Sequence, residues 1–252
     1  MFSKFLQSAL ASNILIARNV IFGRHMRGLK LFSESDSGLG VEGGRDLCRA
    51  CAGDLVANRV RCPRCALPLA SPAPLCGECL ERAPPFAAAA VPFVYAHPLD
   101  ALLARFKFGR SLAAGRVLAE LWLEIIDREA LGRPELVMPV PLHSVRLRER
   151  GYNQALELAR PLARALAIPL LSGGIVRTRA TPAQSGLDAR TRRRNLRDAF
   201  ALAENVVLPA HVALVDDVMT TGATLRECAK TLLRAGVERV DVWAIARAPR
   251  TR

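Results

Sequence analysis

The sequence lacks any apolar run of the roughly 18–20 residues that a membrane-spanning helix needs, so we predict no membrane span. Aromatic residues make up only 5% of the chain, and acids are scarce: 23 Asp and Glu stand against 36 Lys and Arg, nearly all Arg. The resulting net charge of +13 favours polyanionic partners such as nucleic acid, phosphorylated ligands or anionic lipid. Hydrophobic residues are plentiful at 51%, enough in 252 residues for one domain with a sizeable core and a small extra module.

The first 45 residues contain no cysteine, and no acid before Glu34. Apolar residues recur there at helical spacing among Lys and Arg, and a Gly- and Ser-rich stretch at 33–44 predicts a linker. We predict a basic amphipathic N-terminal extension. Four interpretations stay open: a helix on a membrane surface, an organelle transit peptide, a helix packed on the rest of the protein, or a poorly ordered extension. Polar residues interrupt the apolar stretch, which excludes a secretory signal.

Six of the seven cysteines form three C-x-x-C pairs with equal ten-residue spacers. The pairs are Cys48/Cys51, Cys62/Cys65 and Cys76/Cys79. Two adjacent pairs make a four-thiolate zinc site, and a module this short needs a metal to hold it together. Spacing alone fits the first pair with the second as well as the second with the third; we favour the latter because Pro63 and Gly77 suit tight turns. Such pairs predict structural zinc instead of disulfides, and hence a reducing, cytoplasmic compartment.

Beyond the cysteines, short apolar runs alternate with helical patterns, which predicts an α/β fold with a parallel sheet. Strands are predicted at Ala90–Tyr95, Glu135–Val140, Leu170–Ile175, Val212–Val215 and Arg239–Ile245. Helices are predicted at Pro98–Phe106, Ser111–Glu129, Gln154–Ala167 and Thr224–Ala235. We therefore divide the chain into an extension and linker (1–45), a zinc-binding module (46–85) and an α/β domain (86–252).

The strand Val212–Val215 leads into two acids, a small-residue loop and a helix. The acids are Asp216 and Asp217, and the loop comprises Thr220, Thr221, Gly222, Ala223 and Thr224. Backbone N–H groups and hydroxyls in the loop suit a phosphate, and the helix N-terminus adds partial positive charge. The carboxylates suit ribose hydroxyls or a hydrated Mg²⁺. The simpler alternative is a turn whose Asp and Thr only cap the helix.

Two further segments carry clustered arginine. The strand Glu135–Val140 is followed by a loop with three arginines and by a helix that Asn153 can cap, which predicts a second anion site on the same sheet edge. A basic surface loop is the alternative. Residues 176–200 contain seven arginines against two acids. This segment fits a mobile loop that closes over phosphates, a track for a nucleic-acid backbone, or a solvated charged face.

Taken together, the motifs resemble the ComF family of competence-associated proteins, which are similar to phosphoribosyltransferases and carry an N-terminal zinc module. The residues that carry the resemblance, over about 46–252, are C-P-R-C-x-L-P-L (62–69), C-G-E-C-L (76–80), F-K-F-G (106–109), P-V-P-L-H (139–143), R-E-R-G-Y-N-Q-A (148–155), T-P-A-Q-S-G-L (181–187) and V-D-D-V-M-T-T-G-A-T-L (215–225). The resemblance implies a type I phosphoribosyltransferase-like parallel sheet flanked by helices and preceded by a small four-cysteine zinc module. Family members often have a further C-x-x-C pair upstream, and its absence here leaves Cys48 and Cys51 without an obvious mate.

The same resemblance implies a ligand, phosphoribosyl pyrophosphate with Mg²⁺, and assigns residues to it. Asp216 and Asp217 would hold the ribose hydroxyls as the catalytic pair, and Thr220–Thr224 the 5′-phosphate. The pyrophosphate side would comprise His143, Arg146, Arg150 and Tyr152. The flexible loop would contribute Arg177, Gln184, Arg194 and Asn195.

Two functions follow from the resemblance and from the residues. One is a ligand-binding protein that supports DNA uptake in natural transformation. Its partners would be single-stranded DNA and other DNA-uptake proteins. The other is an active phosphoribosyltransferase of nucleotide metabolism, which joins a base to the phosphoribosyl group and releases pyrophosphate. The sequence leaves open whether the protein is an enzyme.

Overall fold

This computed structural model describes residues 47–125, 131–178 and 199–250. The chain divides into two compact units between Leu55 and Val56. The described part of the first unit contains one short helix, α1 (Arg49–Gly53). Cys48 caps it, because its Sγ accepts a hydrogen bond from the backbone N–H of Cys51 at 3.3 Å. The predicted extension at 1–45 lies outside the described residues, and the three-part domain division stays a prediction.

The second unit holds the sheet and most of the helices. Its elements in chain order are α2 (Gly77–Glu81), β1 (Ala88–Ala90), β2 (Phe93–Val94), α3 (Leu99–Phe108), α4 (Leu112–Ile125), β3 (Leu136–Pro139), α5 (Ser144–Arg150), α6 (Gln154–Leu166), β4 (Ile175–Arg177), β5 (Phe200–Leu202), β6 (His211–Met219), α7 (Ala223–Arg234) and β7 (Arg239–Arg247). Nowhere in the described ranges is a helix long and apolar enough to cross a membrane.

The sheet is parallel and has the order β1-β7-β6-β3, with β2 also paired to β7. Its two central strands, β6 and β7, are nine residues long and buried along almost their whole length. Strands covered on both faces are apolar nearly throughout, which explains the continuous run Val212–Val215. Helices α6 and α7 pack against the sheet. Strands β4 and β5 form a separate antiparallel ribbon. The predicted parallel sheet flanked by helices is thereby confirmed.

The core of this unit is continuous with the cysteine-rich segment. Cys62 and Cys65 are buried in the same apolar cluster as Phe86 of the segment before β1 and Val242 of β7. The apolar cluster also contains Leu232 of α7. The cysteines therefore share a core with the sheet and do not form one of their own.

Several predicted elements differ from the structure, among them the strand predicted at Ala90–Tyr95, which is divided into β1 and β2. The strand predicted at Leu170–Ile175 is wrong: Leu170 makes a single parallel bridge with Val137, and the chain then turns at Gly173 (φ +87°) before β4. The predicted arginine loop after β3 contains the helix α5, which ends where Gly151 adopts the left-handed conformation (φ +84°). The helix predicted to reach Glu129 is described to Ile125, and residues 126–130 lie outside the described part.

Candidate functional site

The acidic pair lies near the carboxyl end of β6. The strand does not end at Val215, as the sequence predicts, but continues through both acids to Met219. Helix α7 then begins at Ala223, so Ala223 and Thr224 belong to its first turn and only 220–222 form the loop. Gly222 adopts the left-handed conformation (φ +70°), where a side chain would be strained and a Cβ would approach the Met219 side chain to 2.7 Å. The carboxylates and a helix N-terminus thus follow one another at a sheet edge, where α/β folds bind ligands.

Lys107 partly neutralises the acidic pair. Its Nζ lies 2.9 Å from Oδ1 of Asp217, and both side chains are largely buried. Burial, and next the negative charge of Asp217, raise the pKa of Asp216 to about 7, while Lys107 opposes the shift. Each carboxylate also accepts a hydrogen bond from the backbone N–H that follows it, which holds both side chains in place.

An open cavity of about 170 Å³ lies beside this pair and is lined by charged residues from four elements, α3, α5, β4 and β6. The charged residues that line it are Lys107, Arg146, Arg150, Arg177, Asp216 and Asp217. Four cations against two acids make the cavity a site for an anionic ligand, with the carboxylates at one side for hydroxyl groups or a metal ion. Thr224, in the first turn of α7, lines it too. The remaining predicted phosphate-loop residues, Thr220–Ala223, do not appear among the described lining residues.

Of the predicted pyrophosphate side, the structure brings together Arg146 and Arg150. His143 instead caps α5, since its Nδ1 accepts a hydrogen bond from the N–H of Val145 at 3.2 Å. Tyr152 donates from its hydroxyl to the carbonyl of Phe106 and packs on that ring at 5.5 Å between centroids. Neither His143 nor Tyr152 is among the described residues that line the cavity. Both instead position the elements that carry the basic residues.

The predicted flexible loop is described only at its start. Arg177, in β4, lines the cavity and lies over the ring of Phe200 at 5.6 Å. Gln184, Arg194 and Asn195 lie outside the described residues. The arginine-rich segment therefore begins at the cavity, and its further course stays a prediction.

The structure adds two polar residues that sequence reasoning did not single out as ligand contacts. Gln154 is 2% exposed, and its Oε1 accepts a hydrogen bond from Arg150 at 2.9 Å; in the described part of the chain its Nε2 has no partner. Asn153 donates to the carbonyl of Val140 at 3.0 Å and caps α6. Both follow the arginines directly, and the capping Asn was the signal in the sequence for a helix N-terminus at this edge.

Four cysteines form a candidate metal centre. The Sγ atoms of Cys62, Cys65, Cys76 and Cys79 all lie within 4.8 Å of one another, and all four residues are buried. Backbone N–H groups point at the sulfurs, such as that of Cys76 at 3.4 Å from the Sγ of Cys62. A buried set of four thiolates with this spacing fits tetrahedral Zn²⁺. The cluster could hold zinc. It consists of the second and third cysteine pairs, the combination that Pro63 and Gly77 favoured in the sequence. Cys48 and Cys51 lie in the first unit.

Arg247 joins the cysteine cluster to the loop between β6 and α7. It is only 5% exposed at the end of β7. Its Nε donates to the carbonyl of Cys65 at 3.0 Å, and its Nη1 donates to the carbonyls of Met219 (3.0 Å) and Thr220. A second link runs through Glu78 of α2, whose carboxylate pairs with Arg226 of α7 at 3.6 Å. The cysteine segment is thus linked through Arg247 to the start of the loop between β6 and α7, and it contacts α7 directly through Glu78.

Comparisons with known proteins agree with this geometry. Residues 153–252 match the model of the phosphoribosyl transferase domain. The chain is 42% identical over 193 residues to "Competence protein F" of Haemophilus influenzae, which covers 74% of this chain and 84% of that protein. It is 40% identical over 205 residues to "DNA utilization protein YhgH" of Salmonella typhimurium, covering 80% and 90%. "Competence protein ComFC" of Streptococcus pneumoniae is 26% identical over 155 residues, covering 62% of this chain and 66% of that protein.

The relatives from Haemophilus influenzae and Salmonella typhimurium match most of both chains at about 40% identity, which is enough to assign the family. With the sheet and the four-cysteine cluster as described, the protein belongs to the ComF family of competence-associated proteins with a phosphoribosyltransferase domain.

Proposed function

We propose that the protein binds phosphoribosyl pyrophosphate with Mg²⁺ in the cavity at the end of β6, and that it does so in support of DNA uptake. The observation that carries the proposal is the joint lining of one cavity by Asp216, Asp217 and four cationic side chains. The two carboxylates suit the ribose hydroxyls and the metal ion, and the first turn of α7 suits the 5′-phosphate. Arg146, Arg150 and Arg177 supply the charge for a pyrophosphate.

The biological role rests on the relatives and on charge. Two of the similar proteins are named for competence and one for DNA utilization. A net charge of +13 provides the long-range attraction that single-stranded DNA requires. We place the protein in the cytoplasm, where cysteines stay reduced and available to a structural zinc ion. Other DNA-uptake proteins would be its partners.

Binding of phosphoribosyl pyrophosphate is tested by isothermal titration calorimetry with and without Mg²⁺. We expect binding that depends on Mg²⁺ and that is lost in the variant with Asp216→Asn and Asp217→Asn. Binding of single-stranded DNA is measured on the same proteins; there the variant should bind as well as the wild type or better, because two negative charges are removed. No affinity of the wild type for phosphoribosyl pyrophosphate would refute the proposed ligand, and no DNA binding at low salt would refute the proposed role.

An active transferase is the second candidate, favoured by the presence of both the acidic pair and the cations in one cavity. A nitrogen of the acceptor base would form a bond to C1 of the ribose as the bond from C1 to the pyrophosphate oxygen breaks. The arginines would stabilise the departing pyrophosphate, and catalysis would consist mainly of positioning and electrostatics. Pyrophosphate release with a panel of nucleobases tests this. Tight binding of the ligand without release for any base would leave a binding protein.

A further inference from the structure

An aromatic ring stands exposed beside Arg150, one of the residues that line the charged cavity. Phe108, at the end of α3, is 75% exposed, and it is the one aromatic residue among the exposed large hydrophobic residues of the described ranges. Its exposure leaves the face of the ring accessible to a planar partner. The preceding residue, Lys107, enters the cavity and pairs with Asp217.

The backbone on either side of Phe108 is held in place by its neighbours. The hydroxyl of Tyr152 donates to the carbonyl of Phe106, which fixes the last turn of α3. Gly109 ends the helix so closely that a Cβ there would lie 2.8 Å from the carbonyl oxygen of Arg105. Arg110 then donates to the carbonyl of Glu149 at 2.8 Å and ties this end of α3 to α5. A ring carried on a backbone held in this way can bind a planar partner at little cost in backbone conformational entropy.

Cations surround the ring. The guanidinium of Arg150 lies 5.4 Å from the ring centroid, within the range of a cation–π contact. Arg146 and Arg150 line the adjacent cavity, and Arg110 is exposed two residues from the ring. Positive charge beside an accessible aromatic face is the combination by which proteins bind single-stranded nucleic acid without reading its sequence.

We propose that Phe108 is a stacking position for a base of single-stranded DNA, with Arg110 and the arginines of α5 beside it for the flanking phosphates. The inference rests on the proposed role in DNA handling and gives that role a place on the molecule. It also puts the DNA next to the cavity, so that a strand bound at Phe108 passes the mouth of the phosphoribosyl pyrophosphate site.

Tryptophan fluorescence tests the stacking directly. The natural tryptophans, Trp122 and Trp243, are 0% and 1% exposed, so Phe108→Trp adds a reporter that is accessible where they are not. We expect oligothymidylate to quench this reporter, and an abasic oligonucleotide of equal length and charge to leave it nearly unchanged. Equal quenching by both would overturn the proposal, because it would show attraction by charge without stacking.

Affinity gives the second readout. Phe108→Ala should weaken oligothymidylate binding at least about fivefold, the lower end of what one base–aromatic stack provides. The matched control is Leu80→Ala: Leu80 is 70% exposed on α2 and should not matter. Binding of phosphoribosyl pyrophosphate should be unchanged in both variants.

Two results would overturn the inference in distinguishable ways. Wild-type DNA binding that Phe108→Ala leaves intact would refute the stacking position alone. An absence of wild-type DNA binding at low salt, with phosphoribosyl pyrophosphate still bound, would refute the role in DNA handling as well; binding to vesicles of anionic phospholipid in its place would assign the ring to a membrane surface.

Discussion

The ammonium group of Lys107 lies 2.9 Å from a carboxylate oxygen of Asp217, although the two residues are 110 positions apart in the chain. The contact brings the end of α3 to the end of β6. It also places a positive charge next to the acidic pair, where it lowers the cost of ionising Asp216. Ligand binding and protonation at this site are therefore linked.

Affinity for phosphoribosyl pyrophosphate with Mg²⁺ should rise as the pH rises from 6 to 8. Burial raises the pKa of Asp216 to about 7, and only the ionised carboxylate above that pH can bind a metal ion or accept from ribose hydroxyls. Calorimetry at three pH values measures the effect. The ligand phosphates titrate as well, so Asp216→Asn serves as the control. The affinity of this variant should change with pH only through titration of the ligand, and therefore less steeply than that of the wild type. Identical slopes would show that Asp216 does not titrate in this range.

Stability should respond to the same carboxyl in the opposite direction. The ordinary pKa of Asp is near 4 and the native value is about 7, so between these values the native state keeps a proton that the unfolded state has released. Without ligand, this residue should lower the free energy of unfolding as the pH rises from about 4 to 7 and cause no further change above. The free energies of unfolding of the wild type and of Asp216→Asn, measured with urea at a series of pH values, should diverge between about pH 4 and 7 and change in parallel above pH 7.

Lys107→Met should move the pH dependence of binding to higher pH. Lys107 opposes the rise in the pKa of Asp216, and its removal leaves the acidic pair with less positive charge nearby. Binding at pH 7 should weaken, and much of the loss should be recovered at pH 8.5. Lys230→Met is the control, since Lys230 pairs with Glu227 on α7 at 2.7 Å, away from the cavity lining. A uniform loss at every pH would instead assign to Lys107 a direct contact with the ligand.

Zinc content should depend on the four clustered cysteines and not on the remaining pair. Cys65→Ser and Cys76→Ser should each reduce the metal from about one zinc ion per chain to nearly none and destabilise the fold, since a four-thiolate site needs every ligand. Cys48→Ser and Cys51→Ser should keep the metal. Elemental analysis of the purified protein decides between the two pairings. Loss of zinc in Cys48→Ser would favour a site formed by Cys48, Cys51, Cys62 and Cys65.

Arg247→Met should weaken the binding of phosphoribosyl pyrophosphate while zinc stays bound. The variant leaves the carbonyls of Cys65, Met219 and Thr220 without this donor. The Met219 carbonyl still accepts from the N–H of Ala248 and Thr220 is exposed, so the cost of about 1–3 kcal/mol falls mainly on the buried carbonyl of Cys65. Stability and the position of the loop before α7 should both change. Arg250→Met is the control: Arg250 pairs with Glu78 at the surface and should be nearly neutral. Unchanged affinity in Arg247→Met would mean that the loop keeps its shape without it.

Local patterns in the sequence predicted the centre of the fold and one side of the site. The apolar run at 212–215, the acids after it and the small residues before α7 are neighbours in the chain, so their arrangement follows from strand and helix geometry. The cysteine pairs were predictable for the same reason. The Gly-Gly turn before β4 was a local signal too, and the prediction of a strand at Leu170–Ile175 did not use it.

What the sequence could not supply depends on pairs of residues far apart. Nothing near Lys107 points to Asp217, and Arg247 lies 182 residues from the carbonyl of Cys65 that it binds. His143 and Tyr152 were placed with the ligand because they belong to the matching motif, whereas the cap of α5 and the bond to Phe106 become visible only in three dimensions. Motif membership identifies which residues matter together but not which of them contacts the ligand.

The side chain of Arg247 also bears on whether the cysteine segment can be separated from the rest of the chain. A shortened chain that began after the cysteine segment would retain a buried guanidinium with its partner from that segment removed, at the base of the loop that precedes α7. The cysteine segment is therefore not a detachable appendage that could be exchanged freely between relatives. Removal of the segment would take away the acceptor of the Arg247 Nε and leave its Nη1 bonded to carbonyls outside the segment. A shortened chain should therefore fold less stably at the end of the last strand.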